Sequence, residues 1–248
     1  MIINVHAGHN PYGKVGSGVV GFLNESVENR IIKDLVIKKL RYLGHTVYDC
    51  TCDNGKSSSD VLQQIVKKCN AHEADLDVSI HLNSDGGYGV EVLVYNLTAI
   101  SPVDVAKNIS NAISALGFRN RGVKARPDLY VLKKTKAKAL LIECCFADSK
   151  TDANLYNAEE MATAIVKGIT GQVVKDTQTQ TDSFLVQVKT DLNIRAGAGV
   201  EYPVTGVIKD RLKYTIIETA KAKDGGTWGR LKSGAGWINI SEKYVTKL

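Results

Sequence analysis

Nothing in the chain comes near eighteen consecutive apolar residues, so no segment is long and apolar enough to span a bilayer as a helix. A secretory signal is also missing from the start. Met1 to Val5 read as a strand, without a basic stretch, an apolar run and a small-residue cleavage site in succession. The expectation is synthesis in the cytoplasm without a signal peptide, so that action outside the cell depends on some other means of delivery. Cysteine is sparse and odd in number. The five are Cys50, Cys52, Cys69, Cys144 and Cys145, and two of the spacings are too close for ordinary bridging. That fits a reducing place of synthesis better than a disulfide framework. Neither a Cys-x-x-Cys pair nor a histidine pair accompanies Cys50 and Cys52, so they are expected to be structural.

What is present is ordinary in bulk. At 248 residues, with 44% hydrophobic and 23% charged residues, the composition is that of a globular chain with room for one large or two modest domains.

Through Gly171 short apolar runs alternate with amphipathic helices. Val27, Ile31 and Leu35, with the neighbouring Ile32, Val36 and Leu40, predict one helical stripe that stops at Gly44. Further stripes run through Val61 to Cys69, Val103 to Leu116, and Met161 to Ile169. Between them "INV", "HTVYD", "LDVSI", "GVEVLVY" and "KALLIECCF" read as strands, the last apolar throughout as in a strand covered on both faces. The alternation predicts an α/β fold, a twisted, mostly parallel sheet flanked by helices.

The texture then changes. "KDTQTQTDS" has no periodicity and no large apolar residue, and residues 173–182 are read as a linker between domains at 1–172 and 183–248. From Ser183 onward short strand-like segments are punctuated by glycine turns, which predicts a small all-β barrel. Trp228 and Trp237 both fall there and are expected in its core, whereas Tyr202, in "VEYPV", is the better exposed candidate for contact with a ligand. This part holds 11 Lys/Arg against 6 Asp/Glu, so +5 of the total +6 resides in it.

In an open parallel sheet, ligands bind beyond the carboxyl ends of the strands. His9 follows the first strand, His81 follows "LDVSI", Glu143 lies in "LLIE", and Glu25 opens the first long helix. The map therefore allows two imidazoles and two carboxylates to meet at one rim. Two histidines and one carboxylate with a fourth position left to water make a hydrolytic zinc arrangement, and a second, non-ligating carboxylate supplies a general base. Glu143 is the most telling singly, because an ionised carboxylate in such an apolar run is costly unless paired or close to a cation. His6 competes with His9, and Glu28 with Glu25. Glu91 is open to two readings, as a partner that orients an imidazole or as a plain cross-strand residue. His45 and His72, at helix ends, are expected to be structural.

"HAGHN", "LNESVENRIIKDLVIKKL", "DVSIHLNS" with "GVEVLVY", and "KALLIECCF" occur in the order found in zinc-dependent N-acetylmuramoyl-L-alanine amidases. The chain resembles these peptidoglycan hydrolases from Met1 through Gly171, and is similar to the clostridial phage endolysins among them. The resemblance implies one zinc ion per chain on His9, Glu25 and His81, with Glu143 as the catalytic glutamate. The turn reads His-Ala-Gly-His where Asp-Pro-Gly-His is commoner, so His6 and His9 both stay open as the ligand. The part from Ser183 resembles a bacterial Src-homology-3-like domain on "LNIRAGAGVEYPVTGVI" and "TWGRLKSGAGWINISEKYV", which implies attachment to the cell wall.

The expected partners are bacterial peptidoglycan and anionic wall polymers, with no nucleic acid and no membrane insertion. The expected reaction is cleavage of the amide between N-acetylmuramic acid and L-alanine, as in an endolysin. The alternatives are a zinc peptidase cutting within the stem peptide, a housekeeping or germination autolysin of the same chemistry, and a catalytically dead wall-binding protein.

Overall fold

The computed structural model describes residues 1–172, 183–222 and 225–248; the linker read at 173–182 lies outside them. The chain divides into two compact units, Met1–Val174 and Lys175–Leu248.

The first unit is an α/β sheet of six strands: β1 (Ile2–Ala7), β2 (Thr46–Asp49), β3 (Leu76–Asn83), β4 (Val90–Val94), β5 (Asn120–Ala125) and β6 (Lys138–Phe146). Their spatial order is β2-β1-β3-β6-β4-β5. All neighbours pair in parallel except β4 and β6, which are antiparallel. The helices are α1 (Glu25–Tyr42), α2 (Ser58–Cys69), α3 (Val103–Ser114), α4 (Tyr130–Lys134), α5 (Lys150–Leu155) and α6 (Ala158–Thr170). One hydrophobic cluster joins Ile32, Ile109 and Ile165 of α1, α3 and α6 to Val78, Ile80 and Ile142 of the sheet. A second joins Val61 and Ile65 of α2 and Val131 of α4 to Leu93 and Leu141. Alternation along each strand sends neighbouring side chains to opposite clusters, which is why the central strands read as continuous apolar runs.

Helix α1 departs from the expected stripe. Val27 and Ile31 are 40% and 42% exposed. Its buried face carries Ile32, Val36, Ile37 and Leu40 together with Lys33 and Lys39. Those two ammonium groups reach carboxylates from distant segments, Lys33 to Asp49 at 2.7 Å and Lys39 to Glu159 at 2.5 Å. Gly44, at φ 83°, follows the helix as expected, because the left-handed region carries no Cβ penalty for glycine. All five cysteines are free and buried.

The second unit is a seven-stranded antiparallel sheet: β7 (Phe184–Val188), β8 (Leu192–Arg195), β9 (Val204–Ile208), β10 (Lys213–Lys221), β11 (Thr227–Leu231), β12 (Trp237–Asn239) and β13 (Val245–Lys247). Val186, Val188, Ile216, Leu231 and Ile238 form its own core. Trp228 is buried and Trp237 half-buried, while Tyr202 is 44% exposed.

Candidate active site

Strand β1 ends at Ala7, and the next two residues turn sharply. Gly8 continues the pairing with β3 through its amide, which donates to the Ile80 carbonyl at 3.0 Å. A Cβ at Gly8 would run into the His81 imidazole, so the close approach of the two strands requires glycine there. His9 follows at φ 62°, a left-handed conformation that costs a non-glycine residue energy and persists only where its surroundings impose it. Helix α1 imposes it. Asn29 donates its side-chain amide to the Gly8 carbonyl at 3.0 Å, and Arg30 donates to the His9 carbonyl at 2.9 Å. Arg30 is itself held by Asp53 at 2.8 Å.

Glu25 is the first residue of α1, after the N-cap Asn24, and its side chain is 3% exposed. Its Oε1 lies 3.3 Å from His9 Nε2 and 3.0 Å from His81 Nδ1, and accepts from the Leu82 amide at 3.2 Å. Oε2 accepts from the Val19 amide at 3.1 Å. One ligand atom from each of His9, Glu25 and His81 falls within 4.8 Å of the other two. Both imidazoles thus converge on one carboxylate oxygen, with ring centroids 5.0 Å apart and planes at 76°. Burial pushes the Glu25 carboxyl up, but the hydrogen bonds from His81 and His9 win and hold it well below the usual carboxylate range. His81 moves the other way: burial pushes it down, and the Glu25 contact, aided by the charge of Glu143, lifts it above its ordinary value.

Glu143 is the register partner of His81 across the β3–β6 pair, and so stands on the same face of the sheet. Its Oε2 is buried without a hydrogen-bond partner among the described residues. Burial pushes its carboxyl up to about 7; the charges of Glu25 and Glu91 add to this, while those of His81 and Arg126 oppose it. The donor set fits a divalent metal ion: two imidazoles and one carboxylate is the composition of an open, catalytic zinc site. A buried, unpartnered carboxylate oxygen next to such a site fits a base waiting for a proton.

The competing residues are engaged elsewhere. His6 Nδ1 faces Ser79 Oγ at 3.4 Å, and burial holds the ring down to about 3, so it is neutral. Glu28 accepts the Tyr156 hydroxyl at 2.8 Å. His45 Nδ1 meets the chain's own amino terminus at 3.3 Å, and His72 stacks on Tyr48. His81 lies within β3 rather than beyond it. Among the described residues Glu91 bonds to no imidazole: it takes Arg121 Nε at 2.6 Å, Lys124 Nζ at 2.5 Å and the Asn83 side-chain amide at 3.1 Å.

Several residues escape a reading of the sequence. Gly18 matters because a Cβ there would collide with the Glu25 carboxylate and stand 3.0 Å from His9 Cδ2. Asn29 and Arg30 look like ordinary polar positions of a surface helix. Strand β5, "NRGVKA", is too polar to announce itself, so Arg121 and Lys124 had no visible place.

The family described as N-acetylmuramoyl-L-alanine amidase matches residues 1–175. Over 161 residues the chain is 32% identical to an uncharacterised protein of Clostridium perfringens (strain 13 / Type A), an overlap of 63% of this chain and 47% of that one. It spans about half the length of the curated relatives it matches in Clostridium perfringens. The endolysin of Bacillus phage SPP1 is 29% identical over 258 aligned residues, covering 86% of this chain and 89% of the phage protein. Among solved structures, the catalytic domain of the CD27L endolysin targeting Clostridia Difficile superposes with a TM-score of 0.63 at 27% identity, covering 71% of this chain and 99% of that domain. With more than half its length matched to that family, and with the donor set of an open zinc site at the sheet edge, the chain belongs to the N-acetylmuramoyl-L-alanine amidases.

Proposed function

We propose that this protein hydrolyses peptidoglycan at the amide between N-acetylmuramic acid and L-alanine, using one zinc ion held by His9, Glu25 and His81 and the carboxylate of Glu143. The observation that carries the reading is the meeting of those three ligands beside a buried carboxylate oxygen that has no partner among the described residues. When bound, the ion supplies Lewis acidity toward the scissile carbonyl and an acidified water at neutral pH. The chain's own residues do the rest. Glu25 brings one negative charge to the site, held in place by the Val19 and Leu82 amides. Glu143 takes the proton of the attacking water on its free oxygen and returns it to the departing amine of L-alanine.

Residues 183–248 are proposed as a bacterial Src-homology-3-like domain that attaches the enzyme, residues 1–172, to the wall. The separate core, the exposed Tyr202 ring and the charge of +5 support an attachment role, with anionic wall polymers contributing attraction. The near full-length similarity to a phage endolysin supports a lytic enzyme that reaches the wall from the cytoplasm. No helix of the described residues is long and apolar enough to cross a membrane.

Digestion of purified walls tests the reaction. New amino-terminal alanine, abolished by a chelator and restored by zinc, is the expected product. New amines from other stem residues would identify a peptidase, and the absence of any product a binding protein.

A further inference from the structure

Next to the metal ligands a line of charged side chains continues across the sheet. His81 on β3 is in register with Glu143 on β6, and Glu143 with Glu91 on β4. Glu91 in turn receives Arg121 and Lys124 from β5, the outermost strand on that side. Neighbouring strands lie about 4.8 Å apart, so β5 is displaced about 10 Å from the strand of Glu143.

We infer that Arg121 and Lys124 form a subsite for a free carboxylate of the stem peptide, one residue beyond the alanine whose amide is cut; this rests on the amidase reading above. Neutralising Glu91 does not account for both cations. Its Oε2 takes both of them and its Oε1 takes the Asn83 amide, so the group keeps a surplus charge of one. Arg126, by contrast, forms a two-bond pair with Asp128, at 2.9 and 2.8 Å, so its charge is matched one for one.

The guanidinium of Arg121 is also held for use. It spends its Nε hydrogen on Glu91, and among the described residues its terminal nitrogens have no hydrogen-bond partner. Its Cζ lies over the Phe146 ring, 4.9 Å from the centroid, and the side chain is 26% exposed. A guanidinium fixed by one carboxylate and one aromatic face presents its remaining N–H groups in a fork that matches a second carboxylate.

The chemistry of the substrate supplies such a group at a suitable distance. After L-alanine the stem peptide continues with D-glutamate joined through its side-chain carboxyl, which leaves an α-carboxylate free; in amidated walls the residue is D-isoglutamine and that charge is gone. An extended chain advances about 3.3–3.6 Å per residue, so this carboxylate lies about 7 Å from the scissile carbonyl, within reach of side chains that extend inward from β5.

The test uses two muropeptides of equal length that differ only in whether the second residue is D-glutamate or D-isoglutamine, with kcat and KM measured on the full-length, zinc-loaded protein. The wild type should favour the free acid in kcat/KM by about tenfold or more, the size of one charge-assisted hydrogen bond. Arg121→Ala should collapse that preference to near parity, chiefly by raising KM for the acid. Arg121→Lys keeps the positive charge against Glu91 and should restore part of the preference, which separates recognition from loss of fold. Equal rates for both muropeptides in the wild type would overturn the inference alone. So would an Arg121→Ala variant whose two activities fall by the same factor, since a merely structural arginine predicts that. If the wild type cuts neither muropeptide, the amidase reading fails and takes the subsite with it.

Discussion

Glu91 and Glu143 stand directly opposite one another in the antiparallel register of β4 and β6, yet among the described residues only Glu91 forms ion pairs. Burial raises both carboxyls. At Glu91 the contacts to Lys124 and Arg121 overcome it and hold the group below its ordinary value, whereas Glu143 rises to about 7. Two glutamates on neighbouring strands are thus shifted in opposite directions, one held low by its cations and one raised by burial.

Replacing Glu143 by glutamine should leave metal binding intact and remove most hydrolysis. The amide cannot accept the water's proton, and loss of a general base costs about 10² to 10⁴ in rate. Zinc content measured alongside release of amino-terminal alanine checks both halves. Loss of zinc together with activity would make Glu143 a ligand.

The same substitution should stabilise the metal-free protein in alkali. A carboxyl whose folded pKa lies near 7 and whose unfolded value is near 4.5 binds more protons folded than unfolded between those values. Its contribution to stability therefore falls as pH rises from about 4.5 to about 7 and stays lost above. At pH 8 the glutamine variant, stripped of metal, should exceed the wild type by roughly 1–3 kcal/mol, with the difference vanishing near pH 4. Chemical denaturation at both pH values measures it; an equal difference at both would show that titration of Glu143 is not its source.

Gly18→Ala should weaken metal binding while leaving the fold in place. Its φ does not lie in the left-handed region, so alanine strains no backbone; the new methyl meets the Glu25 carboxylate. Displacing a ligand through its surroundings costs about 10- to 100-fold in metal affinity. A competition titration against a chromophoric chelator reads that loss, and unchanged affinity would mean that Glu25 is free to move aside.

Removing residues 183–248 should leave a folded amidase that holds intact walls less well. His9, Glu25, His81 and Glu143 all lie in the first unit, and the cores of the two units share no residue. Attraction between exposed charges is screened beyond about 8 Å at physiological ionic strength, so wall binding by the isolated second unit should weaken as salt rises. Pelleting with purified walls over a salt series checks this. Salt-insensitive binding would point to packing and hydrogen bonds, with Tyr202 the first residue to replace.

Much of the fold was legible because its signals are local. Alternating apolar runs and helical stripes foretold the mostly parallel sheet and its helices, and the change of texture after Gly171 foretold a second, all-β unit. His9, Glu25, His81 and Glu143 were legible as candidates, beside His6 and Glu28, because histidines and glutamates at strand and helix ends of an α/β sheet fall at one edge. The sequence by itself thus determined the layers, the order of the elements and the residue types available at the rim.

Only the tertiary structure decided which of those residues meet. Choosing His9 over His6 depends on the left-handed turn at His9, which Asn29 and Arg30 impose from a helix some twenty residues away in sequence. The exposure of Val27 and the burial of Lys33 and Lys39 depend on partners at Asp49 and Glu159. Arg121 and Lys124 gain their place from β5 joining the sheet beside β4. Periodicity is a property of neighbouring residues, but register and pairing are set by long-range packing, and the charge on each group of this site is set by what that packing brings within a few ångströms of it.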